Sequence, residues 1–186
     1  MGLVPAYYHG HDWPYMYPYS QPLYWERVRA ICATESLKGP QPDWPAGYFD
    51  LSFTNITGYD GWGDKPFFDA VDRGDIRYST VPTVESQATL VVYGRVDCVL
   101  SEIRSFKYNK KRVLASPPPF ALDIAPREIT IGPIITRSAV HVGYSKAAFE
   151  AGSYPYFLEF MQAFDNALHH MQVSGEIEEI MNGKIQ

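Results

Sequence analysis

The stretch YFDLSFTNITGYDGWGDKPFFDAVDRG, residues 48–74, decides how the rest of the chain is read. Residues 48–56 alternate well enough for a strand. Gly58, Gly61 and Gly63 then open a loop too rich in glycine for either regular element. Asp64 is a good N-cap, Pro66 suits a first turn, Phe67, Phe68 and Val71 share one side, and Gly74 closes the run. A strand, a glycine loop and a helix in that order form the repeating unit of α/β folds with largely parallel sheets.

The flanking sequence keeps the same rhythm. Upstream, residues 26–34 read as a strand and residues 38–47 (KGPQPDWPAG) as a connector. Downstream, residues 76–78 form a short strand, and Thr83 caps a helix that runs to Val92 and stops at Gly94. The apolar run 96–101 reads as a buried strand of a parallel sheet. Residues 102–111 read as a helix ending in the basic cluster 107–112, SPPP at 116–119 breaks the chain, and a strand follows at 139–144. The clearest helix spans 155–173, where Phe157, Phe160, Met161, Phe164, Leu168 and Met171 recur at spacings of three and four. Ser153 is its N-cap candidate and Gly175 its stop. Pro5, Pro14, Pro18 and Pro22 keep the first 25 residues extended or turned.

Composition narrows the function. The chain has 186 residues, 46% of them hydrophobic, which suits one domain or two small ones. No apolar run of roughly 18 residues is present to span a bilayer as a helix. A net charge of -5, and no basic stripe interleaved with aromatics, predict that nucleic acid is not a partner. Residues 1–19 hold no Lys or Arg and no long apolar run, so a secretory signal is not read there. Cys32 and Cys98 lie in apolar runs and read first as buried free thiols, with a disulfide the lesser alternative; compartment is not read from them. The unusual feature is an aromatic content of 15%, joined by 15 prolines.

Chemistry is sparse. In an open α/β sheet, ligands sit at the carboxyl ends of strands, where the loop after Ile56 and Glu102 would both lie. Glycine-freed amides there can bind carboxylates or phosphates. A tight turn explains the glycines equally well, and a helix N-terminal position explains Glu102. The order G-x-x-G-x-G is not the dinucleotide fingerprint, and no nucleotide or other cofactor is implied. Tyr59 and Trp62 are large rings on a glycine turn, suited to capping a core edge or stacking on a ligand. His9, His11 and Asp12 lack a distant third ligand, so no metal is expected. His169 and His170 diverge on their helix. No nucleophile motif or metalloprotease motif is present, and no enzyme is read.

With the order of elements in hand, the chain from Tyr19 onward resembles the type II periplasmic solute-binding proteins that serve ABC importers of amino acids and similar polar solutes. The runs that carry the resemblance are YSQPLYWERVRAIC, ESLKG, ITGYDGWGD, GRVDCVLSE, VHVGYSK and FLEFMQAFDNALHHMQVSGEIEEIM, in that order. The resemblance implies an α/β, parallel-rich sheet flanked by helices in an incomplete two-lobe architecture that lacks the first half of lobe one. It divides the chain into a lobe-one remnant and hinge strand (1–34), a lobe-two-like domain (35–140) and a return hinge with closing helices (141–186).

It also implies a non-catalytic solute-binding role. Thr57, Gly58, Tyr59, Asp60 and Gly61 become the ligand loop and Glu102 the acidic amine-binding position, with Trp62 or Trp13 stacking. The family's carboxylate-gripping Arg would fall near Trp13, and no Arg precedes Arg27, which points away from an ordinary α-amino acid, while the acidic position at Glu102 suits a cationic or amine-bearing solute. By the same resemblance the location is periplasmic and the partner an importer permease. The stripe Phe157, Phe160 and Phe164 would lack its lobe-one partner and invite dimerisation or swapping. Two further readings on this fold are a ligand-sensing regulatory domain and an enzyme of cyclohexadienyl-dehydratase-like type, for which Glu102 would be the acid or base.

Overall fold

The computed structural model describes residues 4–7, 14–40 and 42–182. Its strands are β1 (Val4–Tyr7), β2 (Met16–Tyr19), β3 (Tyr24–Ala33), β4 (Ser52–Ile56), β5 (Arg77–Val81), β6 (Cys98–Glu102) and β7 (Ile129–Ser145). Its helices are α1 (Lys65–Asp72), α2 (Val84–Val92), α3 (Ile103–Ala115), α4 (Lys146–Glu150), α5 (Phe157–Ser174) and α6 (Glu176–Met181). Two compact units result, one of Met1–Glu26 with Ser138–Gln186 and one of Arg27–Arg137. The chain passes from one to the other within β3 and again within β7.

The unit Arg27–Arg137 is a mixed sheet in the order β7-β3-β6-β4-β5. β4 runs parallel to β5 from Ser52↔Arg77 to Ile56↔Val81, and parallel to β6 through Phe53↔Cys98 and Thr54↔Val99. The apolar run that suggested a wholly parallel environment for β6 holds on that side only. On its other edge β6 is antiparallel to β3, from Val28↔Glu102 to Cys32↔Cys98. Apolar residues at every position report burial of both faces, whichever way the neighbouring strand runs. On one face Val28, Ala30, Phe53 and Leu100 join Trp62, Phe67 and Ala70. On the other, Ile31 and Val99 meet Ala88, Val91 and Val92 of α2 and Phe106 of α3.

The aromatic excess is largely structural here. Trp44, from the proline-rich connector, stacks on Phe67 at 5.5 Å and 6° and meets Tyr48 and Phe53 edge-on. Its indole N–H donates to the Asp64 carboxylate at 3.0 Å, tying the connector to the start of α1. Gln87 of α2, fully buried, donates its amide to the carbonyls of Thr54 and Leu100 and so bridges the parallel strands β4 and β6.

Cys32 and Cys98 form a disulfide, which corrects the reading of two free thiols. They stand directly opposite each other in the β3–β6 ladder, 66 residues apart in sequence. Only this antiparallel pairing brings them together, and neither apolar run announces it. Closing a loop of that length restricts the unfolded chain by an amount worth about 4 kcal/mol.

At the amino ends of β4 and β6 lies Asp97. Its Oδ2 accepts from Ser52 N at 2.8 Å and from Ser52 Oγ at 2.7 Å, and its Oδ1 accepts from Ser36 Oγ at 2.9 Å. Its own N–H donates to Ser52 Oγ, and its carbonyl accepts from Ala33 N at 2.8 Å. Burial pulls this carboxyl upward, but donation from Ser52 and Ser36, with Arg77 nearby, outweighs it and holds the group below the usual aspartate range.

In the unit of Met1–Glu26 and Ser138–Gln186, β1 pairs antiparallel with β7 from Val4↔Gly143 to Tyr7↔Val140, and β2 pairs with β7 at Met16↔Ser145 and Tyr19↔Gly143. The Phe stripe of α5 is partnered within the chain, contrary to the expectation of an open face. Phe157 is buried against Tyr144 at 5.3 Å and Phe149 at 5.5 Å, and Phe160 and Phe164 pack half-buried on the same cluster. Residues of this unit cover what was expected to await a missing lobe. Asp165 accepts from Gln21 N at 3.0 Å and Gln172 donates to Pro22 O, fastening the helix along its length. The helix begins at Phe157 with Tyr156 as N-cap and no side-chain cap, so Ser153 does not cap it; Gly175 ends it at φ 83° as the sequence indicates.

Replacing Asp97 by Asn removes a charged acceptor of several hydrogen bonds and should lower unfolding stability by about 1–3 kcal/mol at neutral pH. Because the folded-state pKa is lowered, this contribution is present above the unfolded value near 4 and fades as pH falls below it. Urea titrations should therefore show the gap between wild type and Asp97→Asn closing below about pH 4, and a gap independent of pH would refute the assignment.

Candidate functional site

Because β4, β5 and β6 are mutually parallel, their carboxyl ends share one edge of the sheet, and α1, α2 and α3 each begin there. Each helix is capped by its own first-turn neighbour. Asp64 Oδ1 accepts from Phe67 N at 3.0 Å, Thr83 Oγ1 from Ser86 N at 3.1 Å, and Glu102 Oε2 from Ser105 N at 2.8 Å. The positive ends of three helix dipoles thus point toward this edge, and two of the three caps are carboxylates that offset them.

Continued to the strand ends, the Phe53↔Cys98 register sets Thr57 level with Glu102. The loop and the acid read from sequence are therefore neighbours across one strand spacing. Glu102 is 8% exposed and commits one oxygen to its cap, while Oε1 has no hydrogen-bond partner among the described residues. The bland explanation offered by the sequence, a helix-start glutamate, is thus true of half the carboxylate.

The loop is more internally bonded than its glycines suggest. Thr57 N donates to Val81 O, Tyr59 N to Ile56 O, and Trp62 N to Tyr59 O, all within 3.1 Å. These amides are spent on the turn, so the expectation that Thr57 and Tyr59 offer free backbone donors is corrected. Gly58, at φ 82°, adopts the left-handed conformation that the turn requires. Gly61 has open space where a side chain would project, whereas a Cβ at Gly63 would lie 2.5 Å from the Phe68 ring. Asp60 starts the 3-10 turn Asp60–Trp62, and its side chain, like the whole of Trp13, lies outside the described residues.

The two rings divide their work. Tyr59 is 43% exposed, and Trp62 is 6% exposed, within the core cluster that holds Phe53 and Phe67. They meet edge-on at 4.8 Å. Trp62 is therefore a wall that fixes Tyr59 rather than a free stacking face, since the core claims it first. Its indole N–H is buried without an acceptor among the described residues.

Sequence reasoning passed over Asn55. This fully buried side chain accepts from Ile56 N at 2.8 Å and donates to Tyr59 O at 2.9 Å, stapling the loop to the strand it leaves. An Asn just before a glycine turn carries that signal, because its short amide bonds local backbone. No group of three or more metal-ligating side chains is found among the described residues.

No family model and no curated protein matches the sequence. Solved structures do. An amino acid ABC transporter substrate-binding protein from Streptococcus pneumoniae bound to L-arginine superposes over 97% of this chain with a TM-score of 0.59 and 16% identity. Its fold is that of the type II periplasmic solute-binding proteins. An arginine transport-system periplasmic binding protein from Legionella pneumophila matches over 99% of the chain with a TM-score of 0.58 and 13% identity. An ancestral amino acid-binding protein, a precursor of cyclohexadienyl dehydratase, matches over 95% with a TM-score of 0.55 and 13% identity. The chain spans 64%, 72% and 65% of the length of these three proteins.

Removing the Glu102 side chain should cost its cap. Glu102→Ala is expected to destabilise by about 1 kcal/mol. Glu102→Gln keeps a side-chain acceptor and should lose about half of that or less. Equal losses in the two variants on urea denaturation would show that the cap does not hold α3.

Proposed function

We propose that the chain is a non-catalytic solute-binding domain that takes a small polar, amine-bearing solute at the carboxyl edge of β4 and β6. The observation that carries this reading is Glu102: a buried carboxylate with one oxygen lacking a hydrogen-bond partner among the described residues, level in register with the Tyr59 loop. An unclaimed carboxylate oxygen in an 8% exposed position suits a charge-assisted hydrogen bond from an ammonium or guanidinium group. Tyr59, steadied by Trp62, offers a ring face to the same cation. The solved structures of like fold lend support, one of them bound to L-arginine and another belonging to an arginine transport system.

On this reading the domain delivers its solute to an importer permease outside the cytoplasm. The Cys32–Cys98 disulfide favours such a compartment, because structural disulfides persist where thiols are not kept reduced.

A thermal-shift panel of amino acids, diamines, polyamines and guanidines tests the reading. A bound cation at a hundred times its Kd should raise stability by about 2.7 kcal/mol. Glu102→Gln should weaken that ligand at least tenfold, and Tyr59→Ala by a few-fold, as loss of a charged hydrogen bond and of a cation–ring contact predict. If no compound in the panel moves the melting temperature, the solute-binding role is wrong. A hit held equally well by Glu102→Gln removes Glu102 from it.

A further inference from the structure

The outward face of α3 is basic, and apolar side chains project beside it. Phe106 and Val113 are the buried residues of this helix. Helical spacing sets Lys107, Lys110 and Lys111 around Leu114, which follows them by seven, four and three residues and is 40% exposed. None of these lysines has an ion-pair partner among the described residues, whereas Arg112 is held by Glu85 at 3.3 Å. A basic helix face standing alone would be a solvated surface.

This one does not stand alone. Tyr93 Oη donates to Val113 O at 3.5 Å, and the same ring meets Phe120 edge-on at 6.4 Å. The 3-10 turn Pro119–Ala121 is thereby held near the C-terminal end of α3. Phe120 and Leu122 project from that segment at 47% and 70% exposure, with Asp123 the acidic residue among them. Phe120 also lies under the Arg95 guanidinium at 5.4 Å.

Protruding apolar tips beside unpaired lysines fit a lipid interface. The tips enter the boundary between headgroups and acyl chains, and the ammonium groups meet anionic headgroups. An acidic protein surface would satisfy the lysines and leave Leu122 and Phe120 unexplained. We propose that the unit Arg27–Arg137 docks through α3 and the segment after it on an anionic lipid bilayer. The net charge of -5 does not oppose this, because residues 1–26 and 138–186 hold eight Asp or Glu against only two Lys, Lys146 and Lys184, and no Arg, so the acidic excess belongs to the other unit.

Co-sedimentation of the full chain with vesicles tests the proposal. Vesicles containing phosphatidylglycerol should capture the protein at low salt and release it at high salt, and pure phosphatidylcholine should capture little. Each lysine at an anionic surface contributes about fivefold in affinity. The triple variant Lys107→Glu, Lys110→Glu, Lys111→Glu should therefore lose well over tenfold. Leu122→Ser should also lose several-fold, with its melting temperature kept because that side chain is 70% exposed. Binding unchanged in either variant overturns the proposal, as does the absence of capture by phosphatidylglycerol. Salt-dependent self-association without vesicle capture would likewise overturn it, marking the face as a contact between copies of the chain.

Discussion

Asp97 holds the amino ends of β4 and β6 and the carboxyl end of β3 in one arrangement. Through Ser52 it fixes the start of β4, through its own backbone it fixes β6 to the end of β3, and through Ser36 it holds the segment beyond. Registers in a sheet move in steps of a residue, and a slip of one would turn every side chain to the opposite face. Pinning the amino ends therefore decides what stands at the carboxyl ends. The level placement of Thr57 and Glu102 follows from contacts made at the far end of the same strands.

That arrangement also accounts for how the candidate site can be both rigid and partly unsatisfied. Asn55 staples the loop, Val81 takes the Thr57 amide, and Trp62 belongs to the core, so Tyr59 is presented by a backbone that has little freedom. Glu102 is held by its cap, and one oxygen remains. A preorganised acceptor binds more tightly than a mobile one because less ordering has to accompany association. Here the order is supplied by folding.

Much of this was legible in sequence where the signal is local. The caps Asp64 and Thr83, the glycine stops at 74, 94 and 175, and the strand–loop–helix unit depend on neighbours within a few residues, and they are found where the sequence places them. The cap expected at Ser153 is not, because Tyr154 and Pro155 intervene before a helix that starts at Phe157. The apolar run of β6 disclosed burial and hid direction. The Phe stripe of α5 disclosed an apolar face and misled about its partner, since the end of β7 and α4, which supply Tyr144 and Phe149, fold back on it through the turn that precedes the helix.

The sequence alone therefore determined the central strands and helices from β3 to α3, the long helix α5 and the order of these elements, because capping, turn chemistry and periodicity act over a few residues. Only the tertiary structure decided that Cys32 meets Cys98, that Trp62 faces the core while Tyr59 does not, and that Glu102 caps a helix with one oxygen and keeps the other without a hydrogen-bond partner among the described residues. Each of these depends on which strands pair and in which direction. Strand pairing joins residues distant in sequence, and it is settled by the burial of whole faces rather than by any one residue's preference.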